Sequence, residues 1–378
     1  MKISWNQPAT RVLHVAYPML PVNESTCGGA EQVLSTLERH AQRAGMRTTV
    51  AACAGSEAAG AVYSTGARGR GRLPAADELL KAHCEKVVEL IGVRSAIGCG
   101  FHLVHDHSGA FFPRAAEVEA PVLATLHLPR SFYPPQWFVQ PPENVFFKCV
   151  SRAQLRSFNG VPRMMGAVPN GIELSRFPFQ ARKKDYLLWM GRICEEKGPH
   201  IALDAAEKAG IPIVLAGKVY PFAYHQDYFE REIAPRLARR AGQAQFIESP
   251  SFSKKVALLR HARAVLLSSQ VEETSSLVAM EAAACGTPVI AFRRGALPEV
   301  AGHVGLLVDW AANNEAGMAA AVADVSRIRP KDCHEYARAH FSAERMFAGY
   351  QKLYAKVMKQ AAPARIEVPL AELLPQAA

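Results

Sequence analysis

Two carboxylates, Glu273 and Glu281, stand eight residues apart in the stretch "VEETSSLVAMEAAACGTPVIAF" (271–292), with no counter-charge between them. A Thr-Ser-Ser cluster follows the first, and apolar residues surround the second. Carboxylates accept hydrogen bonds from paired hydroxyls, such as those of a ribose or a hexose. Eight residues of continuous helix would hold them roughly 12 Å apart. If Ser275 or Ser276 caps the helix instead, Glu273 folds back from the loop and both carboxylates can flank one ligand. The first N–H groups of that helix, at Ser276, Leu277 and Val278, then form an anion site. A second segment carries cations: "LLWMGRICEEKG" places Arg192 after an apolar run and a glycine, and Lys197 five residues on. A planar guanidinium fork and a mobile ammonium suit a diphosphate. The competing reading is a surface loop in which both pair with Glu195 and Glu196.

The first half of the chain offers uncharged groups. Gly28 and Gly29 in "TCGGAEQV" sit where a strand gives way to a helix, so the backbone can approach an anion there. This is neither a GxGxxG fingerprint nor a P-loop. "VLATLHLP" ends an apolar run at His127, a position from which an imidazole can polarise a hydroxyl, or simply serve the structure. "VHDH" (104–107) occupies the same place on the preceding strand, but lacks a clear further partner for a metal ion.

These residues need elements to hold them. Short apolar runs alternate with polar or Gly-rich turns and helix-period segments. Strands are expected at 11–17, 47–53, 102–107, 121–127, 144–151 and 164–171, then at 186–191, 211–217, 243–249, 262–269, 287–292 and 303–309. A Gly/Ala/Arg-rich loop is expected over 54–73 and a helix near 75–91. Fully apolar strands joined by helices imply two parallel sheets, each able to bind a ligand beyond its carboxyl edge. The fold class is α/β, with two Rossmann-like domains and an interdomain cleft. The polar segment 173–185 reads as the linker, dividing 1–175 from 176–339, and 361–378 reads as a flexible tail.

The chain has 378 residues, enough for two cores, and its 49% hydrophobic and 21% charged content is that of a globular protein. No window reaches the roughly 18 apolar residues that span a bilayer, and the N-terminus shows no signal pattern, so a cytoplasmic location is expected. The eight scattered cysteines form no CxxC pair and are read as reduced, buried thiols. The net charge of +10 favours anionic partners. It is spread over small clusters such as "ARGRGR" (67–72) without a basic stripe interleaved with aromatics, so no nucleic acid is expected.

Taken together, "GGAEQV", "SRAQ", "VPNGIELSRF", "MGRICEEKG" and "EETSSLVAMEAAACGTPVIAFRRGALPEV" resemble the retaining glycosyltransferases of family 4, which have the GT-B fold. The last block contains that family's pair of glutamates as Glu273 and Glu281. The resemblance implies a donor site in which Glu281 holds ribose hydroxyls and Glu273 the donor sugar. Arg192 and Lys197 would neutralise the diphosphate, without a metal ion or other cofactor. Gly28, Gly29, Ser276, Leu277 and Val278 would line the donor, and His127 would approach the reacting centre. The catalytic set is then His127, Glu273, Arg192 and Lys197. A C-terminal helix near 340–360 would pack back on the first domain. One departure stands out: the family commonly has Glu-Pro-Phe-Gly where this chain has Glu273-Thr274-Ser275-Ser276.

The implied activity is hexose transfer from a nucleotide-diphosphate sugar to a hydroxyl, in glycan, polysaccharide or glycolipid synthesis. A catalytically silent nucleotide-sugar-binding subunit of a glycan-assembly complex is the alternative. The acceptor, a sugar or a lipid-linked molecule, would sit against loops 54–73 and 130–143. The aromatic and proline-rich "PRSFYPPQWFVQPPEN" in the second loop could stack on a sugar or pack the loop. The basic surplus would also suit peripheral contact with an anionic membrane.

Overall fold

The computed structural model describes residues 9–23, 26, 28–66, 76–220, 222–311 and 314–361. The basic "ARGRGR" segment and nearly all of the expected tail lie outside the described residues. Within them, two fully parallel sheets account for thirteen strands.

The first sheet contains β1 (Arg11–Val15), β2 (Arg47–Ala52), β3 (Ala61–Ser64), β4 (Leu103–Asp106), β5 (Val122–Leu126), β6 (Val145–Cys149) and β7 (Met164–Ala167), in the order β3-β2-β1-β4-β5-β6-β7. The second contains β8 (Leu187–Arg192), β9 (Ile213–Lys218), β10 (Ala244–Glu248), β11 (Ala264–Leu267), β12 (Val289–Phe292) and β13 (Gly305–Val308), in the order β10-β9-β8-β11-β12-β13. Both orders reverse direction next to their first strand, which opens a crevice between β1 and β4 and another between β8 and β11. Strands β4, β5, β6 and β12 are buried at every residue. That burial is why β5 and β12 read as apolar runs; β4 and β6 instead bury His105, Asp106 and Lys148, each with hydrogen-bond partners.

Twelve of these strands coincide with expected segments, ten lying within them and β8 and β9 running one residue beyond. The exception is β3, which the loop expected over 54–73 had concealed. Three of its four residues are exposed, so burial left no apolar pattern. It is fastened from outside: Glu38 accepts hydrogen bonds from Ala59 N (2.9 Å), Gly60 N (2.8 Å) and Thr48 Oγ1 (2.5 Å). The carboxylate belongs to helix α1 (Gly29–Arg43). The helix expected near 75–91 is α2 (Ala76–Ala96).

Short helices flank the second half of the chain: α3 (Arg152–Ser157), α4 (Pro199–Lys208), α5 (Ala223–Tyr228), α6 (Ala234–Arg239), α7 (Phe252–His261), α8 (Leu277–Ala284), α9 (Leu297–Ala301), α10 (Glu315–Asp324) and α11 (Pro330–His340). The long α12 (Ala343–Ala361) returns to the first sheet. Its apolar residues recur at helical spacing, and Met346, Phe347, Tyr350, Leu353, Tyr354 and Val357 share a core with Val12, Leu103, Leu123 and Phe146. The chain between the sheets is not slack. Lys183 Nζ donates to Cys285 O (3.1 Å), Arg260 O (3.0 Å) and Thr287 Oγ1 (2.8 Å), anchoring that segment to the second sheet's helices.

Candidate active site

The carboxyl ends of the strands collect the residues singled out in the sequence. Gly28 follows β1 and is the N-cap of α1. A methyl group on Gly29 would lie 3.8 Å from Leu277 Cδ1, so the glycine turn of the first domain meets the start of α8 in the second.

Helix α8 begins as expected. Ser276 is its N-cap in an extended conformation, and its hydroxyl accepts from Ala279 N (3.3 Å). The cap engages the Ser276 hydroxyl with Ala279 N, leaving the N–H groups of Leu277 and Val278 outside the cap, an arrangement that favours an anion. Gly286, with φ of +74°, ends the turn that follows the helix.

Glu281 lies one turn into α8 and is 1% exposed. Its Oε1 accepts from Lys255 Nζ (2.5 Å), while Oε2 is buried with no partner among the described residues. Burial pushes its pKa up, against the opposing pull of Lys255. An ionised oxygen buried without a partner carries a desolvation penalty that a ligand hydroxyl would relieve. Lys255 was not foreseen. It stands on α7, near Glu281 only through packing of the two helices, and nothing in its own segment marks it.

Glu273 Oε1 accepts from Lys197 Nζ (2.5 Å). The lysine therefore pairs with the far carboxylate rather than with Glu195 or Glu196. The loop between Arg192 and Gly198 is clamped to the end of β11: Ser269 Oγ donates to Glu196 O (3.1 Å), Gln270 N to the same oxygen (2.7 Å), and Ser268 Oγ to Gly198 O (2.6 Å). Gly198 has φ of +62°, and a Cβ there would collide with Ser268 O, so only glycine lets the loop turn into α4 at this point. Arg192 ends β8 with its side chain exposed.

The first domain contributes a buried chain of imidazoles. His127 Nε2 lies 3.2 Å from His107 Nδ1, and His107 Nε2 lies 3.3 Å from His14 Nδ1. Burial, with Lys148 nearby, pushes His127 down to about 3, and burial takes His14 to about 4 and His107 well below its ordinary value. All three are neutral at neutral pH. With one proton per ring, every hydrogen bond in the chain must point the same way, so the inner rings set which nitrogen of His127 is bare. His105 is bound to Tyr354 OH and Thr125 Oγ1, both at 2.7 Å. The "VHDH" run thus supplies positioning: Asp106 accepts from the backbone N–H groups of Ser108 (2.8 Å) and Phe112 (2.9 Å).

Two contacts join the domains beside these residues. Thr274 Oγ1 donates to His127 O (2.7 Å), and the Glu299 carboxylate caps α3 by accepting from Arg152 N (3.0 Å) and Ala153 N (2.5 Å). Thr274 belongs to the Thr-Ser-Ser departure, so the unusual sequence supplies a direct bridge between the first carboxylate's loop and the histidine strand. Beside it, Ser275 Oγ is buried without a partner among the described residues. Glu31, in the first turn of α1, was not foreseen either. Burial raises it to about 7. In the aromatic loop, Tyr133 and Phe138 pack inward while Phe132 is exposed. Among the described residues, all seven cysteines are free thiols and only Cys99 is exposed.

Residues 172–340 match the family model described as glycosyl transferases group 1. The chain is 34% identical over 169 residues to a glycogen synthase of Mycobacterium tuberculosis, covering 42% of this chain and 39% of that protein. It is also 31% identical over 185 residues to a D-inositol 3-phosphate glycosyltransferase of Streptomyces bingchenggensis, covering 41% of this chain and 38% of that protein. These matches span about two fifths of the relatives' length. Over the whole chain the likeness is one of fold. A sucrose-phosphate synthase from Thermosynechococcus elongatus superposes with a TM-score of 0.75 at 19% identity, covering 93% of this chain and all of that one. Anabaena HepE, solved in complex with UDP-glucose, gives 0.71 at 16% identity, covering 92% and 99%. Residues 172–340 are thus similar to the glycosyl transferases group 1, within a GT-B fold of two Rossmann-like sheets.

Proposed function

We propose that the protein moves a hexose from a nucleotide-diphosphate sugar to an acceptor hydroxyl with retention of configuration. The observation that carries this reading is the bare, buried Oε2 of Glu281 on α8, downstream of the Glu273–Lys197 pair. A ribose hydroxyl bound to Oε2 relieves its desolvation. The diphosphate lies against the first N–H groups of α8, with Arg192 and Lys197 offsetting the charge that grows as the sugar's C1–O bond breaks. That electrostatic work needs no metal ion at the diphosphate. The acceptor oxygen forms the new bond to C1 from the face the diphosphate leaves, and its proton passes to the departing phosphate oxygen. His127, neutral and with one nitrogen held by His107, orients the reacting hydroxyls.

The relatives named as glycogen synthase and D-inositol 3-phosphate glycosyltransferase support a donor of this class. For the acceptor, a sugar or lipid-linked hydroxyl fits the exposed Leu128, Phe132 and Val139 near the end of β5. No helix among the described residues is long and apolar enough to cross a membrane. A cytoplasmic enzyme touching an anionic bilayer peripherally would retain access to such an acceptor through its net charge of +10. Sedimentation with anionic vesicles at low salt tests this, and no co-sedimentation rejects it.

A thermal-shift screen of UDP-, GDP- and ADP-sugars identifies the donor. The matching donor should raise the melting temperature and be hydrolysed slowly to free nucleotide, with hydrolysis lost in Glu273→Ala. Donor binding without turnover across a broad acceptor panel would instead establish a nucleotide-sugar-binding subunit.

A further inference from the structure

Two clusters of metal-ligating side chains lie in the described residues near these loops, and they differ in what their donor atoms already do. In the first, His14, His105 and His107 place one nitrogen each within 4.8 Å of the others. Both nitrogens of His105 are engaged by Tyr354 and Thr125, and His14 and His107 bond to each other. That cluster is a hydrogen-bonded network in which only His14 Nε2 is left without a partner among the described residues, so a single donor faces any ion.

The second cluster is open. Cys194, Glu196 and His225 bring a sulfur, a carboxylate oxygen and a ring nitrogen within 4.8 Å of one another. His225 is fully buried in α5, and neither of its ring nitrogens has a hydrogen-bond partner among the described residues. Its neighbours are aromatic: the ring centroids of Tyr224 and Phe222 lie 4.2 Å and 5.6 Å away. An imidazole buried with both nitrogens bare is costly unless something binds it. The Cys194 sulfur lies 3.7 Å from Arg192 O, and its thiol is hydrogen-bonded to the Glu196 carboxylate, so two of the three donors already face each other.

We propose that Cys194, Glu196 and His225 bind a divalent transition metal of the zinc class, tying the Arg192–Gly198 loop to the start of α5. Zinc accepts this mixed set, with a thiolate at about 2.3 Å and nitrogen and oxygen donors at about 2.0 to 2.2 Å. Tetrahedral donors at those lengths stand roughly 3.3 to 3.8 Å apart. The three side chains therefore need to close by no more than about 1.5 Å, within the reach of rotamer adjustment. Burial lowers the His225 pKa, so the ring is neutral as a ligand must be. The Cys194 thiol is pushed up to about 12 by burial, so the ion displaces its proton, which leaves to solvent as the sulfur–metal bond forms. Thiolate and carboxylate together offset the dication, so Arg192 and Lys197 keep their positive field. A cavity of about 610 Å³ borders the site on its Glu196 side, lined also by His200, Tyr224 and Arg231. The ion would be a structural pin for the loop and does not replace the cations proposed for the diphosphate.

Cobalt titration of chelator-stripped, full-length protein tests the site. One equivalent of Co²⁺ should bind with a thiolate-to-cobalt charge-transfer band, release one proton, and be displaced by Zn²⁺. Cys194→Ser should abolish the band and weaken binding by more than about 100-fold, beyond the usual cost of disturbing a supporting residue. Glu196→Gln, on a half-exposed side chain that leaves folding intact, should weaken binding at least about 10-fold. His107→Gln should leave the band unchanged. Absence of a stoichiometric cobalt complex, a band that survives Cys194→Ser, or one lost in His107→Gln overturns the assignment. Because the readout is metal binding alone, it stands or falls separately from glycosyl transfer.

Discussion

The carboxyl edges of the two sheets solve opposite electrostatic problems. On the first, His14, His107 and His127 are kept neutral by burial and joined ring to ring, and even Lys148 is lowered to about 7 by desolvation. Lys148 Nζ donates to Tyr350 OH (2.7 Å) and Val168 O (3.0 Å). On the second, charge is retained and paired: Lys197 with Glu273, Lys255 with Glu281, and an exposed Arg192 at the mouth. A network of neutral donors and acceptors orients hydroxyls and protons without attracting ions. A set of half-buried ion pairs can exchange partners with an anion at little cost, because each charge already has a counter-charge. In the proposed function, the diphosphate accordingly belongs to the second sheet and the reacting hydroxyls to the first.

The sharpest way to break that contrast is to neutralise the buried carboxylate. Glu281→Gln should weaken nucleotide binding by about 100-fold, since hydrogen bonds to charged groups contribute roughly 1.5 to 3 kcal/mol each. Titration calorimetry with the donor nucleotide reads this, and unchanged affinity would mean the bare Oε2 is not a ligand atom.

Next comes Glu31, a buried carboxylate on the neutral side. Its folded pKa, about 7, lies above the ordinary 4.5, so the folded state holds a proton that the unfolded state has lost between those values. Its contribution is fully present below about pH 4.5 and is lost as pH rises through 7. Glu31→Gln should therefore stabilise the protein at pH 8, by up to about 3 kcal/mol, and have little effect at pH 4.5. Denaturant melts at the two pH values check the sign; equal effects at both would show that burial does not hold this carboxyl protonated.

His107→Gln tests the imidazole chain as a positioning device. With His127 lowered to about 3, the wild-type kcat profile should show no imidazole step between pH 5 and 8. Breaking the chain should lower kcat about 10-fold with KM for the donor nearly unchanged, less than the roughly 100-fold or more lost with a general acid–base group itself, as befits a positioning residue. A parallel rise in KM would instead indicate that His107 only holds the strand.

The smallest effect belongs to the bridge between the two sides. Thr274→Val removes one hydrogen bond to His127 O and should cost about 1 kcal/mol, seen as a few-fold loss in kcat/KM and a slightly lower Tm. Restoring the hydroxyl with Thr274→Ser should recover most of both.

Much of this arrangement was legible without coordinates. Strands buried in the sheets mostly declare themselves as apolar runs, so twelve of the thirteen were anticipated, and α8 was expected with a cap at Ser275 or Ser276, of which Ser276 is the cap. What escaped were features whose cause lies elsewhere in the chain. Strand β3 is exposed and depends on Glu38 of α1. Lys255 became the partner of Glu281 through helix packing, and His14 entered the imidazole chain because β1 lies beside β4. The competing pairing of Lys197 with Glu195 or Glu196 looked equally good in sequence. The turn at Gly198 instead delivers the ammonium to Glu273.

By itself, the order of residues determined the two parallel sheets, the capped helix between paired glutamates, and the loop carrying Arg192 and Lys197. Periodicity, capping and glycine punctuation are local, and local chemistry is written in consecutive residues. Only the tertiary structure decided which charges neutralise each other, which imidazoles share protons, and that Thr274 reaches across to His127. Those outcomes depend on distances of about 3 Å between segments far apart in the chain, and on burial that removes competing water.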